Sequence, residues 1–76
     1  MKELIEFVAK SLVDDADAVS TSAYDRGDQT IIELEVAPND LGKLIGRQGR
    51  TARALRTLLA AAGQKSRRRT ILDILD

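Results

Sequence analysis

Two glycines, Gly46 and Gly49, interrupt what would otherwise read as one helical stretch between residues 41 and 62. On the first side, Leu41, Leu44 and Ile45 share a helical face; on the second, Leu55, Leu58, Leu59 and Ala62 form an apolar arc while Arg50, Arg53, Arg56 and Thr57 occupy another. Glycine at both ends of a four-residue loop lets the chain turn sharply and lets backbone N–H groups approach a ligand without a Cβ in the way. The start of the second helix leaves unpaired N–H donors and the positive end of a dipole at that loop. With Lys43, Arg47 and Arg50 beside it, the stretch describes an anion site suited to backbone phosphates.

The charge distribution supports the same reading. The formal net charge is zero, yet residues 1 to 40 hold three bases against ten acids, and residues 41 to 69 hold nine bases and no acid. Such segregation points to one basic working face and a polyanionic partner.

Other chemistries are narrowed by what the chain lacks. It has no cysteine and no histidine, which removes disulfides, thiolate and imidazole metal ligands, cysteine nucleophiles and histidine bases together. Asp14, Asp15 and Asp17 lack the glycine and distal glutamate of a calcium loop and read as a solvated turn. Neither a cofactor nor a metal is expected, and no acids form a catalytic constellation, so an enzyme is not expected. The N-terminus has no basic region ahead of a long apolar run, and no apolar run nears the ~18 residues of a membrane span, so a cytoplasmic protein is expected.

Around the glycine loop, local pattern predicts the remaining elements. Leu4, Ile5, Val8, Ala9 and Leu12 place a helix over residues 2 to 13 with one packed face. Residues 18 to 25 alternate as an exposed or edge strand. Residues 30 to 37 form a clearer strand, with Ile32, Leu34 and Val36 on one face and Ile31, Glu33 and Glu35 on the other. Arg26-Gly27-Asp28 turns the two into a hairpin, and Pro38 ends it. Asn39 or Asp40 is placed to cap the short helix, and Gly63 to stop the long one near Ala62. A basic connection over residues 64 to 69 leads to a last strand over residues 70 to 75. Three strands cannot bury their apolar face alone, so the fold expected is an α+β two-layer sandwich in αββααβ order, with helices on one face of a three-stranded sheet.

The residues Leu44-Ile45-Gly46-Arg47-Gln48-Gly49-Arg50 resemble the I-G-x-x-G signature of KH RNA-binding domains, and the element order looks like the bacterial type II form. More narrowly, the run from Ile45 to Thr57 resembles the small single-domain KhpA-type proteins, a likeness that covers nearly the whole chain, residues 1–76, as one KH domain. The resemblance implies a GxxG loop that clamps about four single-stranded nucleotides. Backbone N–H groups of Arg47, Gln48, Gly49 and Arg50, in the loop that Gly46 opens, would meet phosphate with the Arg47 and Arg50 side chains, and Lys43 and Arg53 would flank an apolar groove floored by Leu41, Leu44, Ile45 and Ile32 or Leu34. It further implies a homodimer or a pairing with a KhpB (Jag-type) RNA-binding protein, in post-transcriptional regulation of growth and division. A lone module grips few nucleotides, and a second copy raises affinity through effective concentration.

At one position the sequence departs from the general KH pattern. Ala52 stands where a bulky aliphatic is common, and Phe7 and Tyr24 are the only aromatics, so base stacking and strong base discrimination are not expected. The alternative is an interaction or dimerisation module on the same fold, with its arginines turned to an acidic protein surface.

Overall fold

The computed structural model describes residues 1–75, with positions 65 and 66 described by their backbone; residue 76 of the expected 1–76 domain lies outside the described residues. The chain opens with helix α1 (Lys2–Leu12), which buries Ile5 and Ala9 and carries a Lys10–Glu6 ion pair of 3.0 Å one turn apart on its outer side. A short 3-10 turn (Ala16–Ala18) leads to strands β1 (Ser20–Arg26) and β2 (Gln29–Glu35). Helix α2 (Leu41–Ile45), a turn (Arg47–Gly49), helix α3 (Arg50–Ser66) and strand β3 (Arg69–Ile74) complete it.

The strand order is β1-β2-β3, with β2 antiparallel to β1 and parallel to β3. An antiparallel neighbour needs only a tight turn, here Gly27 and Asp28, and Gly27 adopts φ +59° to make it. A parallel neighbour needs a crossover long enough to return the chain to the same end of the sheet, and α2 and α3 supply it. The expected αββααβ sandwich is therefore the fold observed.

Register decides which side chains meet the helices. Ala23, Ile32 and Leu72 pair across the sheet, as do Thr21, Leu34 and Ile74; of these, Ile32, Leu34, Leu72 and Ile74 join Ile5, Leu44, Leu55 and Leu59 in the core. On the other face Tyr24, Ile31 and Ile71 lie in one row. Ile31, expected on an outer face among acids, is buried. Its neighbours in register are an aromatic and an aliphatic residue, Tyr24 and Ile71, the kind of cross-strand pair that stabilises a sheet face.

Several expectations need correction. Leu4 and Leu12 lie on the predicted packed face of α1 but are exposed, because contact with the sheet reaches Ile5 and Ala9 and leaves the margins of the stripe in solvent. Leu58 is 43% exposed, and the buried stripe of α3 is Ala52, Leu55 and Leu59. Ala52 is thus a core residue where α3 packs closely. Residues 64 to 66, expected as connection, are helical.

Gly63 does not end α3. The helix continues to Ser66, and Arg67 closes it in the left-handed conformation at φ 59°, ψ 23°. Gly63 is buried inside the last turns because the chain returns against it: a Cβ there would lie 2.6 Å from the Arg68 carbonyl oxygen. Arg68 itself anchors that return. Its guanidinium donates to Thr30 Oγ1 at 3.1 Å, to the carbonyls of Gln29 at 2.9 Å and Gly27 at 3.4 Å, and pairs with Asp25 at 3.3 Å.

An alanine inside an exposed helix stabilises by about 1 kcal/mol relative to glycine. Gly63→Ala is expected to do the opposite and cost about 1–3 kcal/mol, since the added methyl meets backbone. Urea unfolding monitored by circular dichroism measures the sign directly.

Candidate functional site

The glycine loop takes its shape from three residues with positive φ in four positions. Gly46 leaves α2 at φ 79°, ψ 170°, a region that side chains exclude, and its N–H donates to the Gly42 carbonyl at 2.9 Å to close the short helix. Gln48 (φ 58°, ψ 25°) and Gly49 (φ 74°, ψ 15°) are both left-handed. Gly49 N–H donates to Gly46 O at 3.1 Å and Arg50 N–H to Arg47 O, after which α3 begins. These internal bonds commit two of the four N–H groups expected to meet phosphate, those of Gly49 and Arg50.

Gly46 also sets how closely the helices approach. A Cβ there would collide with the Thr51 side chain and lie 2.9 Å from the Thr51 backbone nitrogen. Thr51, in the first turn of α3, is absent from the expected site residues, because its contact with the loop is invisible to motif reading. At the far side of the loop Arg53 Nη2 donates to the Gln48 carbonyl at 2.7 Å, one helical turn back. Arg53 therefore holds the left-handed tip in place.

Apart from Lys43, the expected site residues fall into three groups. Arg47, Gln48 and Arg50 are exposed around the loop, and among the described residues the guanidinium groups of Arg47 and Arg50 have no ion pair or hydrogen bond. Gly46, Gly49 and Arg53 shape the loop. Ile45 is 37% exposed at the end of α2 and adjoins the loop. The proposed floor is different: Leu44, Ile32 and Leu34 are fully sequestered in the core, because register turns these strand residues beneath the helices. Leu41 and Ile45 are left as the accessible apolar part of that floor.

Lys43 is tied to the acidic half of the chain. Its ammonium bonds the Asp14 carboxylate and lies 3.9 Å from Asp40 Oδ1. The hydrogen bond to Asp14, with the charges of Asp14 and Asp40, pushes its pKa up and keeps it protonated. Asp40 is 3% exposed and does not cap α2 with its side chain. Its two oxygens accept the backbone N–H groups of Asp14 at 3.2 Å and Asp15 at 3.0 Å. The Asp15 N–H, with help from the Asp14 N–H and Lys43 and against the effect of burial, holds the carboxyl below its ordinary pKa. A cap residue in sequence thus works as a tie between α2 and the end of α1. Among the described residues no three acids gather to hold a metal ion, and no helix is long and apolar enough to cross a membrane.

Comparison with known proteins agrees with the geometry. The family described as KhpA/KhpB, KH domain, matches residues 2–74. A protein of Halalkalibacterium halodurans named RNA-binding protein KhpA is 53% identical over 76 residues, the full length of both chains. Proteins of the same name from Borreliella burgdorferi (54% identical, covering 97% of this chain and 90% of the relative) and Aquifex aeolicus (47%, covering 100% and 96%) match as well. No solved structure matches the chain. The fold and loop define a KH-type α+β domain, and the chain belongs to the KhpA/KhpB family of KH domains.

Two measurements check the geometry. Gly46→Ala is expected to destabilise by about 1–3 kcal/mol from backbone strain alone, whereas Gly42→Ala, whose Cβ meets open space, leaves stability unchanged or raised. Thermal melts of the pair separate them. For Asp40, the lowered folded pKa means that its contribution is complete above the unfolded value of about 4 and disappears as pH falls through the folded value. The melting temperature of wild type therefore exceeds that of Asp40→Asn by several degrees at neutral pH, and the gap closes below about pH 4.

Proposed function

We propose that the chain is one KH domain over residues 1–76 that holds single-stranded RNA by its sugar–phosphate backbone at the loop from Gly46 to Gly49. The observation that carries this is the loop tip, where two successive left-handed residues present Arg47 and Gln48 to solvent beside Arg50, with Arg53 fixing the tip from behind. A fixed array of donors and guanidinium groups suits phosphate oxygens, and little ordering is needed when the ligand arrives. The names of the relatives, RNA-binding proteins, support the choice of RNA.

The phosphate contacts fall to the backbone and side chains of Arg47 and Gln48 and to the Arg50 guanidinium. Lys43 contributes a field more than a contact, since Asp14 and Asp40 share its charge. Ile45 and Leu41 offer bases a narrow apolar edge, which favours grip on the backbone over choice of sequence. As the family resemblance implies, the protein acts in the cytoplasm in post-transcriptional regulation of growth and division, with a second copy or a KhpB (Jag-type) partner adding avidity. A second reading, an interaction module, draws on Leu4 and Phe7, the latter 69% exposed on α1.

The variant Arg47→Asp with Gln48→Asp separates the two. Aspartate tolerates the left-handed position at 48 and suits a helix N-terminus, so the fold is kept while phosphate is repelled. RNA affinity is expected to fall at least tenfold, and the plot of log affinity against log salt to flatten by roughly 0.7 for each phosphate that is no longer neutralised. Unchanged RNA affinity with an unchanged circular dichroism spectrum would overturn the clamp.

A further inference from the structure

The arginines of α3, Arg50, Arg53 and Arg56, extend about two turns past the loop, and Arg67 and Arg69 follow beyond the end of the helix. At 100° per residue Arg53, Arg56, Thr57, Ala60 and Gln64 fall within one exposed arc of about 100°, bordered at the loop end by Arg50. The arc ends at a cleft of about 400 Å³ between the last turns of α3 and the first residues of β3. Ala60, Gly63 and Ile71 give this cleft an apolar floor, and Gln64, Arg67 and Arg69 give it a polar rim.

The cleft is a built feature. Gly63 admits the Arg68 backbone against α3, and the Arg68 guanidinium is consumed by the β1–β2 hairpin. Pinning Arg68 fixes its two neighbours, and both Arg67 and Arg69 are exposed. Neither guanidinium has an ion pair or hydrogen bond among the described residues. Arg67 occupies a left-handed position that glycine fills without strain. An arginine is therefore held, at a conformational cost, where the fold would accept a glycine.

We propose that this cleft is a second phosphate-contact site, reached by the same RNA strand after it leaves the loop and runs along the arginine face of α3. The inference rests on the RNA reading above and extends it. A helix of 17 residues spans about 25 Å, so the two sites are bridged only by a strand longer than the about four nucleotides that a GxxG loop clamps. Guanidinium groups repeated along one helix side, with no acid from residue 41 to residue 69, match a continuous polyanion better than a folded acidic surface with scattered charges.

The test uses the full chain, isotope-labelled, titrated by NMR with oligouridylates of about four nucleotides, the span of the loop, and of about sixteen. The short RNA is expected to shift loop amides alone, and the long RNA to shift those of residues 67 to 71 as well. Arg67→Gly with Arg69→Gln removes both rim charges, and the glycine relieves the backbone at 67, so the fold is retained. In this variant affinity for the short RNA is unchanged, affinity for the long RNA falls about tenfold, and its salt slope flattens by roughly 1.4, two phosphates' worth. Equal long-RNA affinity in variant and wild type, or an equal reduction on both RNAs, would overturn the second site. The Arg47→Asp, Gln48→Asp variant judges the loop independently. If it leaves short-RNA binding intact, the clamp reading fails, while a reduction confined to the long RNA in the cleft variant still supports the cleft.

Discussion

Helix α3 is held at both ends by approaches that only glycine permits. At its start Gly46 lies against Thr51, and near its end Gly63 lies against the Arg68 carbonyl. Between them Ala52, Leu55 and Leu59 key the helix into the core. Position and rotation of α3 are therefore set by backbone contact at two points and by side-chain packing along the middle, and the direction of its arginines follows. A helix shifted by a methyl group at either end would carry the same charges to different places.

Charge in this small domain does two jobs. The acidic first half is joined to the basic second half at two points, Asp14 and Asp40 with Lys43, and Asp25 with Arg68. Exposed ion pairs contribute little each. Here they come with hydrogen bonds to backbone that fix chain direction: two N–H groups on Asp40 and two carbonyls under Arg68. The bases used in this way are withdrawn from any ligand. Those left over, on the loop, along α3 and around the turn into β3, come from the stretch of residues 41 to 69 that holds no acid.

What can be read from sequence follows from the range of the interaction involved. The glycine loop, the alternation of Ile32, Leu34 and Val36, and the apolar spacing of α1 are local, and the backbone answers to them locally. Gly63 is the opposite case: a glycine after a helical run has the appearance of a stop, yet the space it clears is occupied by chain that returns from five residues further on. Asp40 and Lys43 owe their roles to Asp14, more than twenty residues upstream, and no local pattern carries that information. Ile31 has the pattern of an outward residue because its neighbours across the sheet, Tyr24 and Ile71, depend on the register of three strands. Arg53 is legible as a base and not as the support of the loop tip, since its acceptor is a backbone carbonyl freed by the left-handed Gln48.

The parallel ladder between β2 and β3 has a consequence for how the molecule reaches its native state. Its register joins Gln29 to Arg69 and Leu34 to Ile74, positions forty apart in the chain, while the β1–β2 hairpin closes over two residues. Loop-closure entropy makes the hairpin and the individual helices early events and the parallel pairing a late one. Until β3 docks, Arg68 has no hairpin to grip and the end of α3 has no strand to lie against. The turn into β3 is thus assembled last, and a chain interrupted before closure has Arg67 and Arg69 without their arrangement.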